Sequence, residues 1–229
     1  RFSDAEKELL SLSEKYSDNG SAAGIFMRLG SIYESAGKFN DAASAYLKII
    51  RLMTDAWHDD IAVKRVLYLI SEKNVKITDP QNRIAMAQSL FSSKNYNESE
   101  KFIADILRKG DTRDAALLYL KILSRKRYPE SVKFLKQYEN KPEYPEFAIA
   151  HANELWENGN KYAAVQIYSK IADTSDSDIA DRVLTRLSFY YEERSNPLLF
   201  KYMEMYRKLF PDSTQSGWFT WLMGRYYLK

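Results

Sequence analysis

Apolar residues recur along this chain at i, i+3, i+4 and i+7 in segments of about 12 to 17 residues, and a short polar break follows each segment. Each segment therefore carries an apolar stripe down one side of a helix, and every stripe needs a cover. The breaks include Ser17-Asp18-Asn19-Gly20, Ala36-Gly37-Lys38, Thr78-Asp79-Pro80, Lys109-Gly110-Asp111, Lys141-Pro142-Glu143, Asn158-Gly159-Asn160, Ser195-Asn196-Pro197 and Pro211-Asp212-Ser213. Gly after a helix end and Asp, Ser or Asn before a beginning are stop and start signals with a mechanism: the left-handed C-terminal residue and the side-chain N-cap. The spacing predicts about 13 helices, near 3–16, 21–36, 39–53, 57–73, 80–93, 96–109, 112–126, 129–139, 145–158, 161–173, 177–194, 197–209 and 215–228. Alternating strand patterns rich in β-branched residues are lacking, so the fold class is all-α.

Two-helix units joined by tight turns invite a search for an internal repeat. Leu29-Gly30 has Phe26 four residues before the glycine and Tyr33 three after it, with Ala42, Tyr46 and Ile49 in the next helix and Gly37 in the turn. The same spacing slides onto Ala148, Ala152 and Leu155, then Gly159, then Ala164, Tyr168 and Ile171. Tyr190, Leu199, Met203, Tyr206 and Pro211 fit a last unit. Ser99 and Ser131 take the small-residue position in two degenerate units, supported by Leu90 and Ile103 and by Ile122 and Leu135. Segments 23–56, 145–178 and 180–213 are the best units. The register is uneven: Ala42 to Ser99 spans 57 residues, against 32, 33 and 35 for the later steps. The helix near 57–73 reads as an insertion or half-repeat.

This pattern resembles the tetratricopeptide repeat (TPR), in which a large residue, Leu-Gly, Tyr, a small Ala and a second aromatic recur about every 34 residues. The resemblance covers most of 20–211. It implies a single domain over 1–229, a right-handed α-α superhelix in which each hairpin buries its surface on its neighbours, with 215–228 as a cap helix. The degenerate units also resemble the α-superhelix of bacterial periplasmic proteins, including the helical part of soluble lytic transglycosylases.

Composition narrows the function classes. Hydrophobic residues make up 45% of the 229 and charged residues 28%, which suits a folded core, and 8 Gly with 6 Pro exclude collagen-like or linker-like chains. The 34 basic and 31 acidic residues leave a net charge of +3, which carries no strong nucleic-acid or membrane signal. Cysteine is absent, so disulfides and thiolate metal sites are excluded; such a chain suits an oxidising space, and a periplasmic setting is favoured over a cytoplasmic one. No apolar run approaches the roughly 20 residues that span a bilayer. The chain begins at Arg1 without methionine and reads as a fragment of a longer chain or a processed form.

Catalytic constellations are missing from the sequence. His58 precedes Asp59 and Asp60 but lacks the three or four ligands zinc needs, and His151 stands alone. There is no HExxH, GxSxG, Walker loop or GxGxxG. Glu34-Ser35, Glu98-Ser99 and Glu130-Ser131 match the Glu-Ser pair of the lytic transglycosylases, but none is followed by their Gly-Leu-Met-Gln stretch. That resemblance implies at most a helical, noncatalytic part of such an enzyme. Neither a cofactor nor a metal is expected. Lys121, Arg125, Lys126, Arg127, Lys133 and Lys136 form the densest basic stretch, interrupted by Glu130. A nucleic-acid partner is the alternative it raises, and a solvated helix face is the favoured reading.

The TPR resemblance also implies a groove lined by the first helix of each pair. Its positions fall on Met27, Ser31 and Glu34, on Gln88 and Phe91, on Asn153, Trp156 and Glu157, and on Ser188, Tyr191 and Glu192. The mixture of polar and aromatic residues suits a protein or peptide partner, with Trp156 and Tyr191 as anchors. Ile149 stands one turn before Asn153, where family members that clamp a terminal carboxylate use Lys. Trp218, Phe219, Trp221, Tyr226 and Tyr227 crowd the last helix, which reads as a cap or as a docking surface for a further domain or chain. The expectation is a noncatalytic interaction scaffold in a larger bacterial assembly.

Overall fold

A computed structural model describes residues 2–15, 20–52, 56–110, 112–173 and 176–227. The described residues form thirteen α-helices and no strand: α1 (Phe2–Lys15), α2 (Gly20–Ser35), α3 (Phe39–Leu52), α4 (Ala56–Lys73), α5 (Pro80–Ser92), α6 (Tyr96–Lys109), α7 (Arg113–Lys126), α8 (Tyr128–Lys136), α9 (Tyr144–Glu157), α10 (Lys161–Lys170), α11 (Ser177–Glu192), α12 (Leu198–Leu209) and α13 (Thr214–Tyr227). The all-α reading holds, with helix ends within three residues of expectation.

The largest differences have local causes. The eighth helix was expected to reach residue 139 and stops at Lys136. The chain turns over 137–140, and Tyr138 stacks on Phe147 at 4.2 Å with Lys141 Nζ 4.2 Å from its ring centroid. The tenth helix was expected to reach 173 and ends at Lys170, where the Ile171 N–H turns back to the Tyr168 carbonyl at 3.1 Å. Ile171 and Ala172 then bury their side chains instead of continuing the helix.

Start signals act as expected. Asp79 accepts from the Asn82 N–H at 3.1 Å ahead of Pro80, Asp176 accepts from Ile179 at 3.0 Å, and Asn160 accepts from Ala163 at 3.3 Å.

One helix-ending turn recurs in four hairpins. The N–H of Lys38, Asn95, Asn160 and Asn196 reaches back to the carbonyl of Tyr33, Leu90, Leu155 and Tyr191, at 2.8, 2.8, 2.8 and 3.0 Å. The residue before each has positive φ: Gly37 (72°), Lys94 (62°), Gly159 (85°) and Ser195 (48°). This is the Schellman arrangement, which satisfies the last carbonyls of the first helix and reverses the chain within three residues. The second helix therefore returns antiparallel against the first, in α2–α3, α5–α6, α9–α10 and α11–α12.

Two compact units divide the chain, residues 1–122 and 123–229. In the first, Phe26, Leu29, Ala42, Tyr46, Ile49, Val66, Leu69, Met86 and Leu90 make one core, and Ile84, Ala87, Ile103, Ala115 and Ile122 a second. In the second unit, Phe147, Ala148, Ala152, Leu155, Ala164, Tyr168, Leu187, Leu199, Met203 and Tyr206 are buried. Each large apolar side chain contributes on the order of 1.5–3 kcal/mol by leaving water.

Small residues set the helix spacing. Ala42 and Ala164 are fully buried, and a Cβ on Gly30 would lie 2.5 Å from Tyr46 Cζ. Ser99 takes the same role at no cost in unpaired polarity, because its hydroxyl donates to the Ala87 carbonyl at 2.7 Å. The Ser131 hydroxyl donates likewise to the Tyr128 carbonyl at 2.7 Å.

Candidate functional site

In the first unit the α2–α3 hairpin and α4 enclose an open depression of about 500 Å³. Met27, Ser31, Glu34 and Ser35 line it from α2, Tyr46 from α3, and Ile61 and Arg65 from α4. All three residues expected here from the first helix are thus brought together. Tyr46 can reach the depression because Gly30 leaves room for its ring. Its hydroxyl donates to Glu34 Oε1 at 2.7 Å, and Arg65 Nε donates to the same oxygen at 2.9 Å. Arg65 Nη2 pairs with Glu34 Oε2, which completes a two-pronged clamp. Burial, then the bond to Glu34, pushes the Tyr46 phenol well above its ordinary range. The Glu34 side chain is 13% exposed and that of Arg65 42%, so the cation is the accessible half of the pair.

The second unit builds a similar node. Tyr168 of α10 donates to Asn153 Oδ1 of α9 at 2.7 Å, and Arg186 of α11 donates to the Tyr168 oxygen at 3.1 Å. In each unit a second-helix tyrosine reaches back to the first helix, and an arginine from a later helix meets it. Burial pushes the Tyr168 phenol up to about 12, against the opposing pull of Arg186. Trp156 stands beside this node, half-buried, with Lys161 Nζ 5.1 Å and the Arg186 guanidinium 5.5 Å from its ring centroid. Those cations hold the indole in place and ring it with positive charge. Glu157 is exposed beside it.

Other expected groove positions divide. Gln88 is exposed and Phe91 half-buried against Tyr96 at 5.3 Å; neither lines the depression of α2–α4. Ser188 and Tyr191 are corrections, since both are buried. Tyr191 lies flat on Tyr202 of α12 at 5.6 Å and 9°, with Tyr190 edge-on at 5.3 Å, so its ring is core and not an open anchor. Glu192 instead joins Ser195, Leu222, Arg225 and Tyr226 around a cavity of about 170 Å³, where burial pushes its carboxyl up.

The last helix is likewise split. Phe219 is a correction: it is fully buried, edge-on to Tyr206 at 5.2 Å. Trp218 packs half-buried on Phe189, and Tyr226 meets Phe200 edge-on at 5.7 Å. Trp221 is 56% exposed, with Arg225 over its ring at 5.0 Å. The Tyr227 side chain lies outside the described residues.

Several of the remaining charged features are internally committed. Glu34 pairs with Arg65, Glu98 with Lys101 at 2.7 Å and Glu130 with Arg127 at 3.2 Å, so each Glu-Ser carboxylate is engaged by a cation. Within the basic stretch Arg125 pairs with Glu154 at 2.5 Å. His151 is fully buried, with Nδ1 2.6 Å from Ser124 Oγ, and burial lowers its pKa to about 4. Ser124 is itself buried. His58 sits edge-on to the exposed Trp57 at 4.7 Å.

No sequence motif marks a second open pocket, of about 450 Å³, in the first unit beside α4, α6 and residues 74–79. Its only signal was the odd length of the first repeat step.

A scan against protein-family models gave no match, and a search of the curated proteins gave no significant match.

Proposed function

We propose that this protein is a noncatalytic interaction scaffold of the tetratricopeptide kind, a right-handed α-α superhelix whose first helices receive a protein or peptide partner. The observation behind this reading is the depression of α2–α4, where Met27, Ser31 and Glu34 share one surface with Arg65. Its apolar Met27 and Ile61, exposed hydroxyl of Ser31 and accessible guanidinium suit an extended segment bearing an apolar and an acidic side chain. Trp156, held by Lys161 and Arg186, offers the second unit's anchor of the same character. The Glu-Ser carboxylates support the noncatalytic half of the reading, since each is already engaged by a cation.

The test is capture of a partner by the parent chain beside two variants, Ser31→Arg and Trp156→Ala, with circular dichroism unchanged in both. Tyr191 is unsuitable for this purpose because its truncation would open the core. A partner retained by the parent and lost by either variant, then reproduced with the purified partner, supports the scaffold. Equal capture by all three chains refutes these faces as the binding surface.

A further inference from the structure

The cavity beside α4, α6 and residues 74–79 plays no part in the scaffold reading. We propose that it binds a small amphipathic anion, an apolar body bearing a carboxylate or phosphate.

Local backbone creates the space. Asn74 takes a left-handed conformation (φ 54°) that ends α4, and the Val75 N–H returns to the Leu69 carbonyl at 3.2 Å. Val75 is buried by this turn, and the chain then runs without helix until Asp79 caps α5. The helix that lengthens the first repeat step thus supplies one wall, and the segment leaving it supplies another. The volume of about 450 Å³ lies within the roughly 300–1,000 Å³ of small-ligand sites.

Chemistry selects the occupant. Leu67, Ile70, Val75, Ile77 and Phe102 give the cavity an apolar floor. Its charged lining is lopsided: Lys76, Arg83, Lys101 and Lys109 against Glu98. Two of those cations are already committed. Arg83 binds Asp105 at 2.9 Å and the Phe102 carbonyl at 3.1 Å, and Lys101 binds Glu98 at 2.7 Å. Lys76 and Lys109 are exposed, and neither forms an ion pair with a carboxylate among the described residues. An anionic head would meet these two lysines without breaking an existing pair, while an apolar tail displaces water from the floor. A cationic head would face the same surplus of positive charge and be repelled.

Isothermal titration calorimetry on the whole chain tests this, with dodecanoate and dodecyl phosphate below their micellar concentrations and dodecyltrimethylammonium as the charge-inverted probe. Saturable binding of either anion, and none of the cation, is expected; the two anions tell a carboxylate head from a phosphate. The double variant Lys76→Glu, Lys109→Glu should weaken anion binding by about tenfold or more, and Lys76→Arg, Lys109→Arg should restore it. Thr78→Trp, at an exposed position on the rim, should abolish binding by filling the space. Unchanged circular dichroism establishes that the variants fold. The proposal is overturned by an absence of saturable binding, by equal binding of the cation, or by undiminished binding in the Thr78→Trp chain.

Discussion

Two glycines on the same helix separate packing from propensity. Ala in place of Gly favours an exposed helix interior by about 1 kcal/mol. At Gly24 an added Cβ meets nothing within 4 Å, so Gly24→Ala should raise the urea midpoint. At Gly30 the same methyl would lie 2.5 Å from Tyr46 Cζ and 2.9 Å from Cδ1. That ring is pinned by its bond to Glu34, so the clash cannot be relieved without losing a buried contact. Gly30→Ala should therefore destabilise by about 1–3 kcal/mol, the usual cost of overpacking. Equal midpoint shifts at the two positions would refute the close approach. Gly30 and Tyr46 were each legible as repeat positions of one hairpin, but their direct contact was not. Nor was Arg65, because a side-chain partner 31 residues away leaves no periodic trace. His151 gives a second residue-scale expectation. Its folded pKa of about 4 lies below the ordinary 6.5, so the unfolded chain takes up a proton that the folded chain refuses. Its contribution is complete above about pH 6.5, falls as pH drops towards 4, and changes no further below that. The loss is on the order of 3 kcal/mol. Urea titrations of the parent and His151→Asn across that window should show the parent alone losing this stability; parallel curves would count against it.

Hairpins are the scale at which the fold repeats. Four of them end their first helix with the same left-handed turn, yet only Gly37 and Gly159 announce it by residue type. Lys94 and Ser195 sit in the same conformation with a Cβ, which costs roughly 1–2 kcal/mol, partly offset by the lower chain entropy of a non-glycine residue. Lys94→Gly and Ser195→Gly should each stabilise by about 0.5–1 kcal/mol. Thermal unfolding checks this, and a lowered melting temperature in both would contradict the turn assignment. Thirteen helices were legible because apolar stripes and capping residues are local signals. The covering of Tyr191 by Tyr202 was not, since a first-helix spacing says which way a side chain points but not what the next helix lays over it. The pocket beside residues 74–79 escaped for a related reason: a segment outside the helices carries no apolar period, and the excess length between Ala42 and Ser99 was what marked its place.

Charge bears on the nucleic-acid alternative at the scale of the whole molecule. A nucleic-acid-binding chain needs cations free to replace counterions along a phosphate backbone, and its affinity then falls steeply with salt. Here the net charge is only +3, and the densest basic stretch is partly neutralised from within. Arg125 is bound to Glu154, with side-chain exposures of 20% and 13%, and Arg127 pairs with Glu130. Pulling Arg125 out to a phosphate would leave Glu154 half-buried without its partner, at a cost that offsets the new contact. Of the other four cations Lys133 and Lys136 are exposed and Lys121 and Lys126 half-buried, and so small a set releases few counterions. Fluorescence anisotropy with labelled single- and double-stranded oligonucleotides should therefore find no binding near physiological salt, and only a shallow salt slope where weak binding emerges at low ionic strength. Glu154→Gln would free Arg125 and should steepen that slope. Tight binding by the parent at physiological salt, lost on Lys133→Glu with Lys136→Glu, would instead make the basic stretch the working surface and displace the protein-scaffold reading.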